Sequence, residues 1–382
     1  MPLISKQTRR GNYEKILSCI ISMSLIVTSS GATFATETTC ESQVFEESQA
    51  SLVEFLVGTD DVNDDIDNRG NNLTVEGEGL NLVIPKQGSE QISLETLDGE
   101  HLTIGMPKDV DNTTAVVSEK GTIVYNEEDS VSIAVQAIQE EQDGLTIEGV
   151  RSMIVINDAN APQTYEFKYN LPQGYELMTA EEYYGEKNEE EGWVYIVDKN
   201  NAYTDAESDE EFFDIIAVIE PAWAKDANGN SVNTSYKVRN NVLVQTVYFN
   251  KDSSFPIVAD PTTSTKPDNY KIETVYSDSF KLNNATLGLP GLGASAATAL
   301  LTKKAKEKAT TLITAKLGSK VIPVLNFVLL GLSGYCTYQG YKGYTYTKVS
   351  LSCEKWAIYK HQGGKWVKGI GYKGKLSFKG SN

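Results

Sequence analysis

The chain has 382 residues, and its 52 acidic and 34 basic side chains give a formal net charge of −18. This total comes mainly from two regions of opposite net charge. Residues 37–260 hold 46 Asp or Glu and 12 Lys or Arg, a net of −34, whereas residues 261–382 hold 5 and 18, a net of +13. The division excludes a uniformly acidic enzyme and a uniformly basic nucleic-acid binder.

Residues 1–35 are typical of a secretory signal peptide. A basic start precedes the apolar stretch Ile16–Thr28, and small residues around Ala35 suit cleavage there. The alternative, a short membrane anchor, is disfavoured because the apolar stretch is shorter than a bilayer requires. We therefore expect a secreted, extracellular protein, with retention at the cell surface left open.

Residues 36–70 are predicted to be a disordered acidic segment. Asp60–Asp67 places five carboxylates in eight positions with little apolar periodicity. A calcium loop can be drawn from Asp65 to Glu76, but Arg69 occupies a ligand position. We accordingly predict no metal site.

Residues 71–260 are predicted to form mainly β structure, an antiparallel, sandwich-like arrangement. Short apolar or alternating runs recur, and Gly, Asn, Asp or Pro separates them. The pattern leaves open whether this acidic region, a pro-region or carrier, is one domain or two.

The end of the acidic region has a distinctive sequence: PAWAKDANG at 221–229, TSY at 234–236, LVQTV at 243–247 and FPIVADP at 255–261. These segments resemble a stretch of largely uncharacterised exported proteins of Gram-positive bacteria. The resemblance covers about a tenth of the chain and implies a secreted β module followed by a variable C-terminal region. It implies no reaction.

Residues 261–285 are predicted to be a linker, and residues 286–382 a small basic α+β domain. The stretch around Leu301–Leu312 favours a helix whose apolar face lies opposite its lysines. The apolar run Val321–Leu332 suggests the second arm of a helical hairpin. We predict either a buried hairpin or one that inserts into anionic membranes, and a permanent transmembrane anchor is the remaining alternative. The contacting residues would be Lys303, Lys304, Lys306, Lys308, Val321, Leu325, Phe327, Leu329 and Leu330.

Two cysteines of the basic region, Cys336 and Cys353, are predicted to form a disulfide, because exported proteins favour oxidised pairs. Cys40 would remain unpaired, and the alternative is that Cys336 and Cys353 are reduced and unpaired as well. A hairpin around Gln362–Gly364 is flanked by strands carrying Trp356 and Trp366. These rings would lie at a membrane interface or on a polyanionic wall polymer. A disulfide-linked sheet with a solvated lysine face is the alternative.

No catalytic motif stands out, since the chain has only two histidines and lacks the common hydrolase signatures. His361 is expected in an exposed turn. We expect no enzyme and no cofactor, and the lack of arginine beyond Ala299 argues against nucleic acid. The expected partners are anionic membrane lipid or cell-wall polymer and a processing protease. Oligomeric state is not determined by the sequence.

Three hypotheses remain. The first is a bacteriocin-type antibacterial precursor, by analogy only, whose basic domain acts on anionic bacterial membranes. In it, the acidic region restrains the basic one through complementary charge until cleavage. The alternative is a cell-surface protein whose lysine- and aromatic-rich C-terminal module binds anionic cell-wall polymers. The third is a secreted hydrolase without a recognisable motif.

Overall fold

The structure, a computed structural model, describes residues 49–382 except 97–98, 108–109, 129, 186–189, 207, 209–210, 318–326, 331 and 338–342. The predicted signal peptide and Cys40 lie outside these residues. Glu46–Asn382 form one compact unit. Among the described residues, no helix combines the length and the apolar character that a membrane span requires.

The elements are given in chain order. Helix α1 (residues 49–57) precedes strands β1 (Asn72–Glu76), β2 (Leu80–Pro85), β3 (Gln87–Gly88), β4 (Ile92–Thr96), β5 (His101–Ile104), β6 (Val110–Thr114), β7 (Val116–Val117), β8 (Ile123–Glu128), β9 (Val131–Gln142), β10 (Leu145–Ile156), β11 (Thr164–Asn170) and β12 (Tyr175–Thr179). Helix α2 (Ala180–Tyr184) precedes β13 (Val194–Asp205), β14 (Glu211–Ile219), β15 (Ala224–Lys225), β16 (Thr234–Arg239), β17 (Val242–Val247), β18 (Ile257–Ala259), β19 (Thr262–Thr265) and β20 (Tyr270–Asn283). Helix α3 (Ala294–Leu317), β21 (Phe327–Leu330), α4 (Leu332–Thr337), β22 (Tyr346–Gln362) and β23 (Lys365–Ser381) complete the fold.

Two large sheets form a mainly antiparallel β fold, as the sequence predicts. A seven-stranded sheet has the order β1-β2-β4-β5-β11-β17-β16. A fourteen-stranded sheet runs β20-β22-β23-β13-β14-β19-β10-β9-β8-β7, with β12, β15, β18 and β21 pairing beside this path. The two sheets share one apolar core, to which Phe167 and Leu243 contribute from the smaller sheet and Ile154 and Ile196 from the larger. The sandwich-like arrangement is therefore confirmed.

Alternation of side chains explains how the strands divide between core and solvent. Strand β11 buries Tyr165, Phe167 and Tyr169 and exposes the residues between them. This period of two places one strand face on the core. Strands β9 and β10 instead bury nearly every side chain over much of their length, because helix α1 covers their second face.

The C-terminal part of the large sheet is a two-layer α/β arrangement. Strands β20, β22 and β23 pair in order, and β21 adds to β23 in parallel. Helices α3 and α4 cover one face and bury Leu301, Ala305 and Ala309 against Val349 and Leu351. On the opposite face of this part of the sheet, Lys281, Lys348 and Lys379 are exposed.

Three boundaries predicted from sequence are wrong. Residues 49–70 are ordered rather than disordered, because helix α1 buries Val53 and Leu56 and Val62 bridges to Ile138. The predicted linker 261–285 instead contains β19 and β20. The predicted C-terminal domain is not separate, since β23 pairs with β13 and makes the large sheet continuous across both charge regions.

The predicted helical hairpin is also corrected. Val321 and Leu325 lie outside the described residues, but Phe327–Leu330 is strand β21 and not helix. Its parallel pairing with β23 satisfies backbone groups that a second helical arm would have satisfied internally. Tertiary pairing therefore decides the conformation of this apolar run.

Candidate functional site

Helix α3 holds the lysines predicted to attract anionic partners. Its apolar side faces the core that helices α3 and α4 form with the C-terminal sheet, which we call the second core, and its lysines lie away from it. Lys304 forms an ion pair with Glu307 at 2.8 Å, and Lys308 Nζ lies 5.0 Å from the centre of the Phe280 ring. The side chains in question are Lys303 and Lys308, which are exposed, and Lys304 and Lys306, which are half-buried.

The apolar residues predicted to insert into a membrane do not share one surface. Phe327 is buried in the second core, and Leu329 packs against that core. Leu330 is exposed. Among the side chains of strand β21 whose exposure the structure describes, only that of Leu330 is presented to solvent, which is less than an inserting segment needs.

The two tryptophans predicted to anchor at an interface are engaged within the protein. Trp366 is buried, with its ring centre 5.3 Å from that of His361. Trp356 is half-buried and donates from Nε1 to Glu354 Oε2 at 3.2 Å. Trp366 is therefore buried away from the predicted interfacial position, whereas Trp356 keeps part of its surface exposed.

The predicted disulfide is absent. Cys336 on α4 and Cys353 on β22 are both free and fully buried in the second core. Burial raises the pKa of Cys353 to about 12, and the neighbouring Glu354 carboxylate adds to this shift. The two thiols therefore act as small apolar side chains.

A row of lysines crosses the solvent face of the C-terminal sheet. Lys281 on β20 pairs in register with Lys348 on β22, and Lys348 pairs with Lys379 on β23. All three are exposed. Neighbouring strands lie about 5 Å apart, so the row spans about 10 Å. Like charges directly opposite one another destabilise a sheet, and this repulsion makes the row a candidate site.

Hydroxyl groups continue the row along the strands. The next positions on the same face align Ser279, Ser350 and Ser377, and the positions after those align Ser277, Ser352 and Lys375. We call these nine residues the lysine–serine face. In the part of the chain that the structure describes, neither Lys348 nor Lys379 forms an ion pair.

A cavity of about 160 Å³ lies where this face ends. The pairing of β22 with β23 runs without a register shift, so Glu354 and Trp356 follow Ser352 on the same face, opposite Lys373 and Gly371. Both Trp356 and Lys373 line the cavity. The lysine–serine face and the cavity thus form one continuous polar surface.

The floor of the cavity comes from the acidic region. Asp214 on β14 accepts hydrogen bonds from Lys266 Nζ at 2.9 Å, from Asn201 Nδ2 at 3.0 Å and from Asn269 Nδ2 at 3.1 Å. The buried Tyr203 ring forms an aromatic wall beside Trp356, with ring centres 6.1 Å apart. The site therefore exists only when both charge regions are folded together.

Burial and neighbouring charged groups shift the pKa values of Lys373 and Glu354, which lie at this end of the sheet face. Burial lowers the pKa of Lys373, and the positive charge of Lys375 lowers it further. Burial opposes ionisation of Glu354, but hydrogen bonds from Lys375 and Lys271 outweigh it and lower the pKa of Glu354. Glu354 is therefore a carboxylate near neutral pH, held between two ammonium groups.

The tip of the β22–β23 hairpin is docked on the acidic region. His361, expected in an exposed turn, is buried, and its Nδ1 lies 3.1 Å from Glu190 Oε2. Backbone amides of Gly363 and Gly364 donate to the same carboxylate. Burial lowers the pKa of His361 although Glu190 opposes the shift. The pair holds the hairpin in place and is sealed from substrates.

Residues 221–261, the segment with the distinctive sequence, build a buried polar cluster around Asp260. Asp260 Oδ1 accepts hydrogen bonds from the Trp223 backbone amide at 2.9 Å and from Gln245 Nε2 at 3.0 Å. The phenol of Tyr236 faces the same carboxyl. The distinctive residues of the segment therefore meet in the interior and give it a structural role.

The candidate site residues that the sequence interpretation missed are Lys281, Lys348 and Lys379. A period-two pattern of polar residues from Lys348 through Ser350 and Ser352 could have revealed them. The cavity had no comparable signal, because its residues come from separate strands. Within the described residues, no three potential ligand side chains gather as a metal site would need. Comparison of the chain with known protein families and with curated proteins found no match.

Proposed function

We propose that this protein binds an anionic cell-wall polymer through its C-terminal sheet. The single observation that carries the proposal is the Lys281–Lys348–Lys379 row, whose members are exposed and directly opposite one another. Lysines opposite one another destabilise the sheet unless a polyanion neutralises their charges. Their presence therefore favours a role in binding a polyanion. The serines around the lysines add hydrogen-bond partners for phosphate or hydroxyl groups.

The polymer-binding role has more support than the membrane-active one. An inserting effector would need Trp366, Phe327 and its apolar strand at the surface, and both side chains are buried. A flat polar face of lysines and serines suits an extended, hydrated polymer such as a teichoic acid. Its attraction would be electrostatic and would weaken as salt rises.

The test is binding of the mature protein to purified teichoic acid, measured by calorimetry at several salt concentrations. The double variant Lys348→Gln/Lys379→Gln removes two charges from the row. At about 1 kcal/mol for each lysine at an anionic surface, affinity should fall about thirtyfold at low salt. The salt dependence should become shallower as well.

The matched control is Lys303→Gln/Lys308→Gln, which removes two exposed lysines from helix α3 instead. It changes the net charge equally and should leave the affinity nearly unchanged. Equal losses in both variants would reduce the interaction to general charge and contradict the proposal. A loss confined to the α3 variant, with leakage of anionic vesicles, would favour the antibacterial precursor.

A further inference from the structure

A lysine and an aspartate of the large sheet lie in direct contact. Lys266 Nζ lies 3.0 Å from Asp214 Oδ1 and 2.9 Å from Oδ2. The two side chains are only 11% and 4% exposed. A nitrogen nearly equidistant from both oxygens lies within about 3.5 Å of the carboxyl carbon, the separation at which positioned groups react. The pair is therefore placed for an amide bond as well as for an ion pair.

The backbone holds the two residues in this position. Asp214 lies in β14, and Lys266 directly follows β19, the strand that pairs with β14. The Lys266 backbone amide donates to the Ile216 carbonyl at 3.0 Å and extends that pairing by one residue. Since the strands are already fixed side by side, a bond between the side chains requires little further ordering.

A second buried carboxyl group lies beside the pair. Asp198 on β13 is directly opposite Asp214 in the register, so both side chains share one face of the sheet. Burial raises the pKa of Asp198, and the negative charges of Asp214 and Glu100 raise it further, although hydrogen bonds from Asn200 oppose the shift. Two carboxyl groups at one site resist ionising together. Asp198 therefore keeps its proton to a higher pH than an ordinary aspartate.

Two side-chain amides polarise the Asp214 carboxyl group. Asn201 Nδ2 donates to Oδ2 at 3.0 Å, and Asn269 Nδ2 donates to Oδ1 at 3.1 Å. The Tyr359 backbone amide donates to Asn269 Oδ1 at 2.9 Å and fixes the orientation of that side chain. Donors aimed at a carboxyl oxygen stabilise the negative charge that develops there when an amine attacks the carbon.

We propose that Lys266 and Asp214 are a modification site at which the folded chain forms an intramolecular amide bond, with Asp198 transferring protons. A proton first passes from the Lys266 ammonium to the Asp214 carboxylate, which leaves a neutral amine and a carboxylic acid. The amine nitrogen attacks Cγ of Asp214, an N–C bond forms, one C–O bond breaks and one water molecule leaves. Asp198 gives its proton to the departing oxygen and takes one from the nitrogen, so it ends unchanged.

The product removes two charges from the interior of the sheet. Burying an ion pair costs desolvation that its attraction repays only in part. The amide is neutral, and its oxygen still accepts from Asn201 and Asn269. The bond also joins residues that are 52 positions apart, so it restricts the unfolded chain as a disulfide does. This inference does not depend on polymer binding.

The experiment is mass spectrometry of tryptic peptides from the unaltered protein. Trypsin cuts after lysine except before proline, so Asp214 falls in the peptide Asn200–Lys225 and Lys266 in the peptide Asp252–Lys271. We expect these two peptides to be joined, with a combined mass lower by one water molecule. The two separate peptides alone, each with its full sequence mass, would overturn the inference whether or not any variant folds.

Three variants assign the bond to its residues. Lys266→Arg keeps a cation beside Asp214, but a guanidinium stays protonated and does not attack, so the peptides should separate. Lys271→Arg alters a lysine of the same peptide that pairs with Glu354 at 3.0 Å, and should keep the joined species. Asp198→Asn should leave most of the peptides unjoined. A joined species in Lys266→Arg would overturn the bond, and complete joining in Asp198→Asn would overturn the proton transfer.

Discussion

At the scale of single residues, Asp260 shows how a buried carboxyl ties stability to pH. The side chain is fully buried, and burial raises its pKa to about 8. The unfolded chain releases this proton near pH 4, its ordinary range. Between these values the folded protein holds a proton that the unfolded chain does not, so stability falls as pH rises.

We predict that Asp260→Asn removes this pH dependence. The amide keeps the Oδ1 acceptor for Trp223 and Gln245 but does not titrate. Between pH 5 and 7, the free energy of unfolding of the unaltered protein should fall relative to the variant by up to about 1.4 kcal/mol per pH unit. Urea unfolding at several pH values measures this difference. Parallel curves for the two proteins would show that Asp260 is ionised in the fold.

The two buried thiols give a second prediction at the residue scale. Because Cys336 and Cys353 are free and fully buried, a reductant should not change the melting temperature of the protein. A thiol reagent should modify both only after denaturation, since burial also suppresses the Cys353 thiolate. The control is Cys336→Ala/Cys353→Ala, which should lose the denaturation-dependent labelling. A melting temperature that falls on reduction would show instead that the two cysteines form a disulfide.

At the scale of elements, the proposed function implies that the lysine row trades stability for binding. Three strands place like charges opposite one another on a solvated face, although threonine or serine would fit there without repulsion. Sites that break a local rule in this way are where function is expected. The C-terminal sheet is therefore the element in which stability and binding should oppose each other.

We predict that Lys348→Thr stabilises the protein while weakening polymer binding. The substitution removes the charge opposite both Lys281 and Lys379 and introduces a residue that strands favour, worth about 0.2–1 kcal/mol. Ser350→Thr is the matched control, because it alters strand preference on the same face without changing charge. Chemical unfolding and calorimetric binding measure the two effects. A destabilised Lys348→Thr would mean that the row is not under repulsion.

At the scale of the whole molecule, the acidic and basic regions are one folding unit. The β22–β23 hairpin reaches across the charge boundary, where Lys360 pairs with Asp205 and His361 contacts Glu190. Trp366 packs against Tyr195 in a shared apolar cluster. Removing the basic region would expose this cluster and leave Glu190 without its His361 partner.

We predict that a nick in the connection between β19 and β20 leaves the two fragments associated. A protease site placed at Pro267–Asp268 would be cut, and both fragments should still elute together in gel filtration without denaturant. The reason is the strand pairing of β13 with β23 and the buried contacts of the hairpin tip. Fragments that separate under native conditions would support a releasable effector, and an uncut chain provides the reference elution.

Several features of the fold could be predicted because they depend on local patterns. Alternation in strands such as β11 marked the β-rich region, and the spacing of Leu301, Ala305 and Ala309 marked the inner face of helix α3. The hairpin turn at Gly363–Gly364 followed from its glycines, both of which adopt positive φ. In each case neighbouring residues alone carry the physical signal.

Pairing between distant segments was not predictable in the same way. The exposed turn expected for His361 is wrong, because His361 lies in strand β22, pairs with Trp366 and contacts Glu190 through its buried side chain. The apolar run around Phe327 became a strand because β23 offered an unpaired edge. Cysteine spacing could not reveal whether the two thiols face each other or the core.

The sequence by itself determined the division into a −34 and a +13 region, the predominance of strands and the lysine-rich composition of the C-terminal part. These are properties of composition and local period. The tertiary structure alone decided that the two regions share one sheet, that Lys281, Lys348 and Lys379 form a row, and that a cavity adjoins it. Strand register and long-range burial set these features, because they depend on which distant segments pair and bury one another.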